Sequence, residues 1–165
     1  MTHRRRAFRL TLSASLVLAA VLGSPPAALA GDITAFLTLP APTDVWSRGY
    51  GAALTSTWFQ VINLEGEAAR LPGDSAEAAM TTFSGAALLA PPIGMVTPSG
   101  GFGVGVFRQT FGSESDQGTL RVFIVGAKVK LGLLVLKGDY RRITLSGTPL
   151  LPIESRISAG AGLSF

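Results

Sequence analysis

Arg156-Ile157-Ser158-Ala159-Gly160-Ala161-Gly162-Leu163-Ser164-Phe165 is the stretch on which the fold turns. From Ile157 onward every second residue is apolar (Ile157, Ala159, Ala161, Leu163, Phe165), and those between are Ser or Gly. Side chains alternate across a strand, so a period of two gives one apolar face and one small or polar face. A strand of about 10 residues with that pattern is the repeating unit of a transmembrane β-barrel, apolar toward lipid and not toward the lumen.

Upstream, seven more segments are read as strands: Ile33–Leu39, Arg48–Thr57, Phe59–Arg70, Ala78–Leu89, Gly101–Phe111, Thr119–Lys130 and Leu133–Leu145, with Glu154–Phe165 as the eighth. No helix-period segment occurs after residue 30, and the glycines sit inside apolar alternations, as tightly curved strands require. The expected fold is all-β: a single antiparallel eight-stranded transmembrane barrel with up-and-down topology, spanning 31–165. Pro40–Ser47, Leu71–Glu77, Gly112–Gly118 and Ser146–Ile153 are polar or rich in turn residues and read as longer outer loops, while Thr57-Trp58 and Leu131-Gly132 read as tight inner turns. Ala90–Gly100, which should also be an inner turn, is too long and Pro-rich to fit that scheme.

Residues 1–30 read as a cleaved secretory signal peptide. Arg4, Arg5, Arg6 and Arg9 form a basic start, Leu10 to Leu22 a short apolar run, and Ala28-Leu29-Ala30 a cleavage site before Gly31. Its removal changes the charge balance. Four of 14 Lys+Arg go with it and none of the 10 Asp+Glu, which leaves ten against ten. The basic pI therefore belongs to the leader and gives no reason to expect nucleic acid as a partner. The single histidine, His3, is also in the leader, and the chain has no cysteine. The remainder lacks the commonest general base, the thiol nucleophile and the usual zinc ligands. Neither metal nor cofactor is expected.

The charges inside the strands fall on one face. Lys137, Asp139 and Arg141 share a phase in the seventh strand, as do Glu65 and Glu67 in the third. A charge on the lipid side at mid-membrane costs several kcal/mol, about 2–4 for Lys or Arg, so these side chains should point inward. In a barrel of eight strands the third and seventh lie across a lumen that side chains can fill. Glu65, Glu67, Lys137, Asp139, Arg141 and Arg156 are therefore expected to form an internal charge network that plugs the barrel.

At this point the chain resembles the small bacterial outer-membrane barrels of the outer membrane protein A and X type. Lys137-Gly-Asp-Tyr-Arg-Arg142 and Arg156 to Phe165 carry the likeness, and it extends over the mature chain. The resemblance implies a protein embedded in the cell outer membrane, with variable outer loops and often no enzymatic role. The terminal Phe165 resembles the C-terminal signature of such proteins, which implies an assembly signal read by the barrel-assembly machinery.

A second set of charges lies on the apolar phase. Arg48 and Arg121 begin strands that run inward, and Arg70, Arg108 and Arg142 end strands that run outward. All five are expected at the outer edge, facing the membrane. Guanidinium chelates phosphate in a bidentate way, so this rim is a candidate site for lipopolysaccharide beside ordinary outer-membrane lipid. The alternative is that rim arginines simply snorkel.

The function expected is that of a structural or interaction protein without catalysis. The alternative is a narrow channel or passive carrier for small solutes. A soluble periplasmic binder would instead keep its apolar face inside, with Glu65, Glu67, Asp139 and Arg141 toward solvent. A lipid-cleaving enzyme is disfavoured because small-barrel deacylases and phospholipases use a histidine beside a serine.

Overall fold

The computed structural model describes residues 30–165 apart from residues 76 and 148. The signal peptide assigned to 1–30 thus lies, save for Ala30, outside the described residues. Eight strands follow one another: β1 (Gly31–Ala41), β2 (Gly49–Trp58), β3 (Ile62–Pro72), β4 (Ala78–Leu89), β5 (Val96–Phe111), β6 (Glu114–Leu131), β7 (Leu134–Leu145) and β8 (Ser155–Ser164). Each pairs antiparallel with its sequence neighbour, and β1 pairs with β8 to close the barrel. Closure runs to the last residue. Gly31 and Phe165 each donate a backbone hydrogen bond to the other's carbonyl at 3.0 Å. No strand edge is left along the seam, as a barrel in hydrocarbon demands.

The two faces follow from the period of two. Ile33, Leu37 and Leu39 of β1, Phe102, Val104 and Val106 of β5, and Ile157 and Leu163 of β8 are exposed on the outside. On the same strands Thr34, Thr38, Phe107, Gln109, Arg156 and Ser158 are buried inside. Water would reward the opposite arrangement, so the outer face is built for lipid.

The connections depart from expectation at four places, each for a local reason. Gly112–Gly118, expected as an outer loop, is mostly strand, and only Gly112 and Ser113 lie between β5 and β6. Gly112 reverses the chain with φ +59°, and Phe111 pairs with Glu114. Residues 114–118 lack apolar alternation because β7 joins β6 only from Leu120 onward, so the β6 edge of this hairpin has no strand beside it, while its β5 edge pairs with β4 up to Phe111. At the opposite end, the turn before β5 is Ala90–Met95 rather than Ala90–Gly100. Ile93 and Val96 exchange backbone hydrogen bonds around Gly94. Pro98 falls inside β5, but β4 ends opposite Gly100, so at that height β5 has a single neighbour and tolerates a proline.

The β2–β3 turn is Phe59–Val61 rather than Thr57-Trp58, with Phe59 and Gln60 at φ 50° and 65°. Neither is a residue that marks a left-handed turn, so nothing local flags the turn there. Lastly Trp46, within the Pro40–Ser47 segment expected as an outer loop, is turned inward at 2% exposure. Its indole N–H donates to the Pro152 carbonyl at 2.7 Å, and residue 46 bridges Gly73. Gln109 accepts from the Leu151 N–H and donates to the Leu151 carbonyl. The β1–β2 and β7–β8 connections are thereby folded over the mouth. Trp46 and Ile153 pack there with Leu71, Met80, Phe107 and Leu120.

Candidate functional site: a charged lumen and an outward arginine rim

Below that apolar cap the lumen is charged. β3 presents Glu65 and Glu67, β7 presents Lys137, Asp139 and Arg141, and β8 presents Arg156, and all six side chains meet. The Arg141 guanidinium lies 2.6 Å from Glu65, 2.8 Å from Glu67 and 2.8 Å from Asp139. Lys137 donates to Glu65 and stands 3.5 Å from Asp139. Arg156 donates to Glu67, and its guanidinium carbon lies 5.9 Å from the centre of the Phe36 ring. Arg141 is the hub, with 1% of its side chain exposed and three carboxylates around its fork.

A further pair, absent from the sequence expectation, extends the network toward the short-turn end: Lys128 donates to Asp32 at 2.6 Å. The signal was present in Lys128, which opposes the apolar phase of Phe123 and Val125. Its partner was harder to see, because Asp32 precedes the first clear alternation of β1. Four buried acids, Asp32, Glu65, Glu67 and Asp139, thus face four cations, Lys128, Lys137, Arg141 and Arg156. The lumen is electrically balanced and filled. Between the two groups lies a small hollow, lined by Asp32, Asn63, Glu65, Thr97, Lys128 and Lys137. Among the described residues no group of three or more His, Cys, Asp or Glu is placed to hold a metal ion.

Of the remaining charges, Lys130 is exposed at the short-turn end near the close of β6, and the rest stand toward the loop end. Asp44, Asp74, Glu77, Glu114, Asp116 and Glu154 all lie at the loop end, in or beside the connections there. Arg48, Arg70, Arg108, Arg121 and Arg142 are all exposed. Each stands on the outward phase of its strand, or, for Arg48, just ahead of β2 in the phase of Tyr50 and Ala52. All five lie toward the loop end. Arg108 and Arg121 are not level, because Arg108 faces Gln117 while Arg121 faces Val104. Among the described residues none of the five has a carboxylate within 4.0 Å, and the ion pairs all lie in the lumen. Phe165 is exposed on the outward phase of the last strand at the short-turn end.

Neisserial surface protein A superposes on the chain with a TM-score of 0.64, covering 83% of this chain and 96% of that one at 12% identity. The fold is that of the small outer-membrane β-barrels. Ail of Yersinia pestis, solved in a phospholipid bilayer nanodisc, matches with a TM-score of 0.55 and 16% identity over 83% of this chain and 99% of its own. The outer-membrane enzyme PagL matches with a TM-score of 0.51 and 15% identity over 81% and 98%. No protein-family model matches the sequence, and no curated protein matches it. At these identities the likeness is one of architecture. An enzyme stands among the similar barrels, so the fold by itself does not decide for or against catalysis.

Proposed function

We propose that the protein is a non-catalytic structural or interaction barrel of the outer membrane, plugged by its own charges and bordered by arginines that face outer-leaflet phosphate. The observation that carries this reading is the sorting of charge: balanced pairs inside, unpaired arginines outside, apolar side chains between. The lumen carboxylates are buried and each is engaged by a cation, which leaves none as a free general base. A channel would need that network to open and the Trp46 cap to lift. In this orientation the loop end faces outward and the short turns face the periplasm. Phe165, at the periplasmic end of the closing strand, is the residue proposed to be read by the assembly machinery.

Two measurements test the reading. The mature chain is expected in the outer-membrane fraction, with altered gel mobility on boiling, and a chain lacking Phe165 is expected there in reduced amount. Recovery as a soluble periplasmic protein would overturn the barrel's proposed place, and undiminished insertion without Phe165 would remove its role as an address. Replacing all five rim arginines with Gln is expected to lower the labelled lipopolysaccharide retained by the purified barrel, and to flatten the dependence of retention on salt. Equal retention by wild type and variant would leave them as ordinary rim charges.

A further inference from the structure

Near the loop end, the outward faces of β2 to β6 bring five polar side chains into one cross-strand row. Tyr50 faces Arg70, Arg70 faces Thr81, Thr81 faces Arg108, and Arg108 faces Gln117. Neighbouring strands are about 4.8 Å apart, so the two arginines straddle the Thr81 hydroxyl with their backbones about 10 Å apart. Every side chain in the row can donate a hydrogen bond, and none is a carboxylate.

Directly beneath the row, toward mid-barrel, β2 to β5 carry very little, and Arg121 of β6 stands beyond Val104 at the edge. The next outward set is Ala52, Ala68, Phe83 and Val106; the one after is Leu54, Gly66, Gly85 and Val104. Gly66 and Gly85 face each other across β3 and β4. Neither is a glycine for the barrel's sake. A Cβ on Gly66 would meet nothing within 4 Å, and one on Gly85 only a backbone oxygen at 3.9 Å. The result is an open apolar groove, floored by Ala52, Gly66, Ala68 and Gly85 and walled by Leu54, Phe83 and Val104.

We infer that row and groove form one seat for a single phosphorylated outer-leaflet lipid of the lipopolysaccharide class. A phosphate lies between Arg70 and Arg108 with Thr81 as a third donor, and one acyl chain lies along the Gly66–Gly85 groove. Charge complementarity selects this occupant: two arginines without a protein carboxylate stand where lipid phosphate lies, directly over a groove that accepts only apolar chain. The inference rests on the rim reading above and narrows it from five arginines to two.

The test uses the refolded full barrel in phosphatidylcholine micelles with labelled lipopolysaccharide, intact or with its phosphates removed. Three double variants are compared, each first checked for wild-type heat-modifiability. Arg70→Gln with Arg108→Gln is expected to lower retention about tenfold, as two exposed charged contacts worth about threefold each are lost. Gly66→Leu with Gly85→Leu fills the groove, has room to do so, and is expected to lower retention with both arginines in place. Arg121→Gln with Arg142→Gln is expected to have the smaller effect, and dephosphorylated lipid to erase the difference between wild type and the Arg70/Arg108 variant. Equal losses from both arginine pairs would overturn the seat while leaving the rim reading intact. No loss from either pair would overturn both. Wild-type retention by the glycine variant would remove the acyl groove, and if that variant also loses a crosslinked dimer, the groove belongs to a second copy of the chain.

Discussion

Arg141→Ala is expected to destabilise the barrel by about 3–5 kcal/mol, the cost of leaving buried charge without its counter-ion. The reason lies in its position as hub. Its guanidinium is shared by Glu65, Glu67 and Asp139, on two different strands. Without it, Lys137 still serves Glu65 and Arg156 still serves Glu67, but Asp139 keeps only Lys137, at 3.5 Å. Unfolding in urea from detergent micelles measures the loss. Arg142→Ala, one residue away but outward, is expected to unfold close to wild type. Adding Asp139→Asn to Arg141→Ala should recover part of the loss, since it removes the carboxylate left nearly without a counter-ion and the two effects therefore do not add. An Arg141→Ala barrel as stable as the wild type would mean that water solvates these carboxylates.

The second large effect is expected at the seam. Gly162 lies opposite Thr34 where β8 meets β1. A Cβ there would stand 1.9 Å from the Ile33 carbonyl oxygen and 2.7 Å from the Thr34 Cα. The obstacle is backbone on the neighbouring strand, so no side-chain rotation relieves it. Gly162→Val must push β1 and β8 apart at the junction that closes the barrel, and its cost should exceed the about 1–3 kcal/mol usual for an overpacked core. The expected readout is a several-fold smaller fraction of the heat-modifiable form after refolding. Gly138→Val is the control: its Cβ faces outward, with nothing nearer than the Ser158 carbonyl at 3.8 Å. Equal refolding of the two variants would show that the seam has slack.

Much of this architecture could be read along the chain, because a barrel wall imposes one rule on every strand. Lipid outside and packed side chains inside force a period of two, so the faces of β3, β7 and β8 followed from the residues between Leu64 and Glu67, Lys137 and Arg142, and Arg156 and Phe165. The inward charges followed from the same rule, since hydrocarbon does not solvate them. The outward phase of the five arginines was equally local.

What the chain does not carry locally is register and reach across strands. Alternation says that Glu65 and Arg141 point inward; only the closed ladder brings them within 2.6 Å. Asp32 could not be matched to Lys128 from sequence, because their meeting depends on how far β1 and β6 are staggered around the barrel. The length of the β5–β6 hairpin was hidden for a related reason. Residues 114–118 pair by backbone hydrogen bonds alone, and with no wall on their other side they need no apolar face. The burial of Trp46 was not legible because a loop has no period to betray it, and its partner Pro152 is 106 residues away. Periodicity thus determined which way each strand side chain faces. Which side chains meet, and that Arg70, Thr81 and Arg108 stand in one row over bare glycine, was decided by the pairing of strands, a property of the closed sheet rather than of any segment in it.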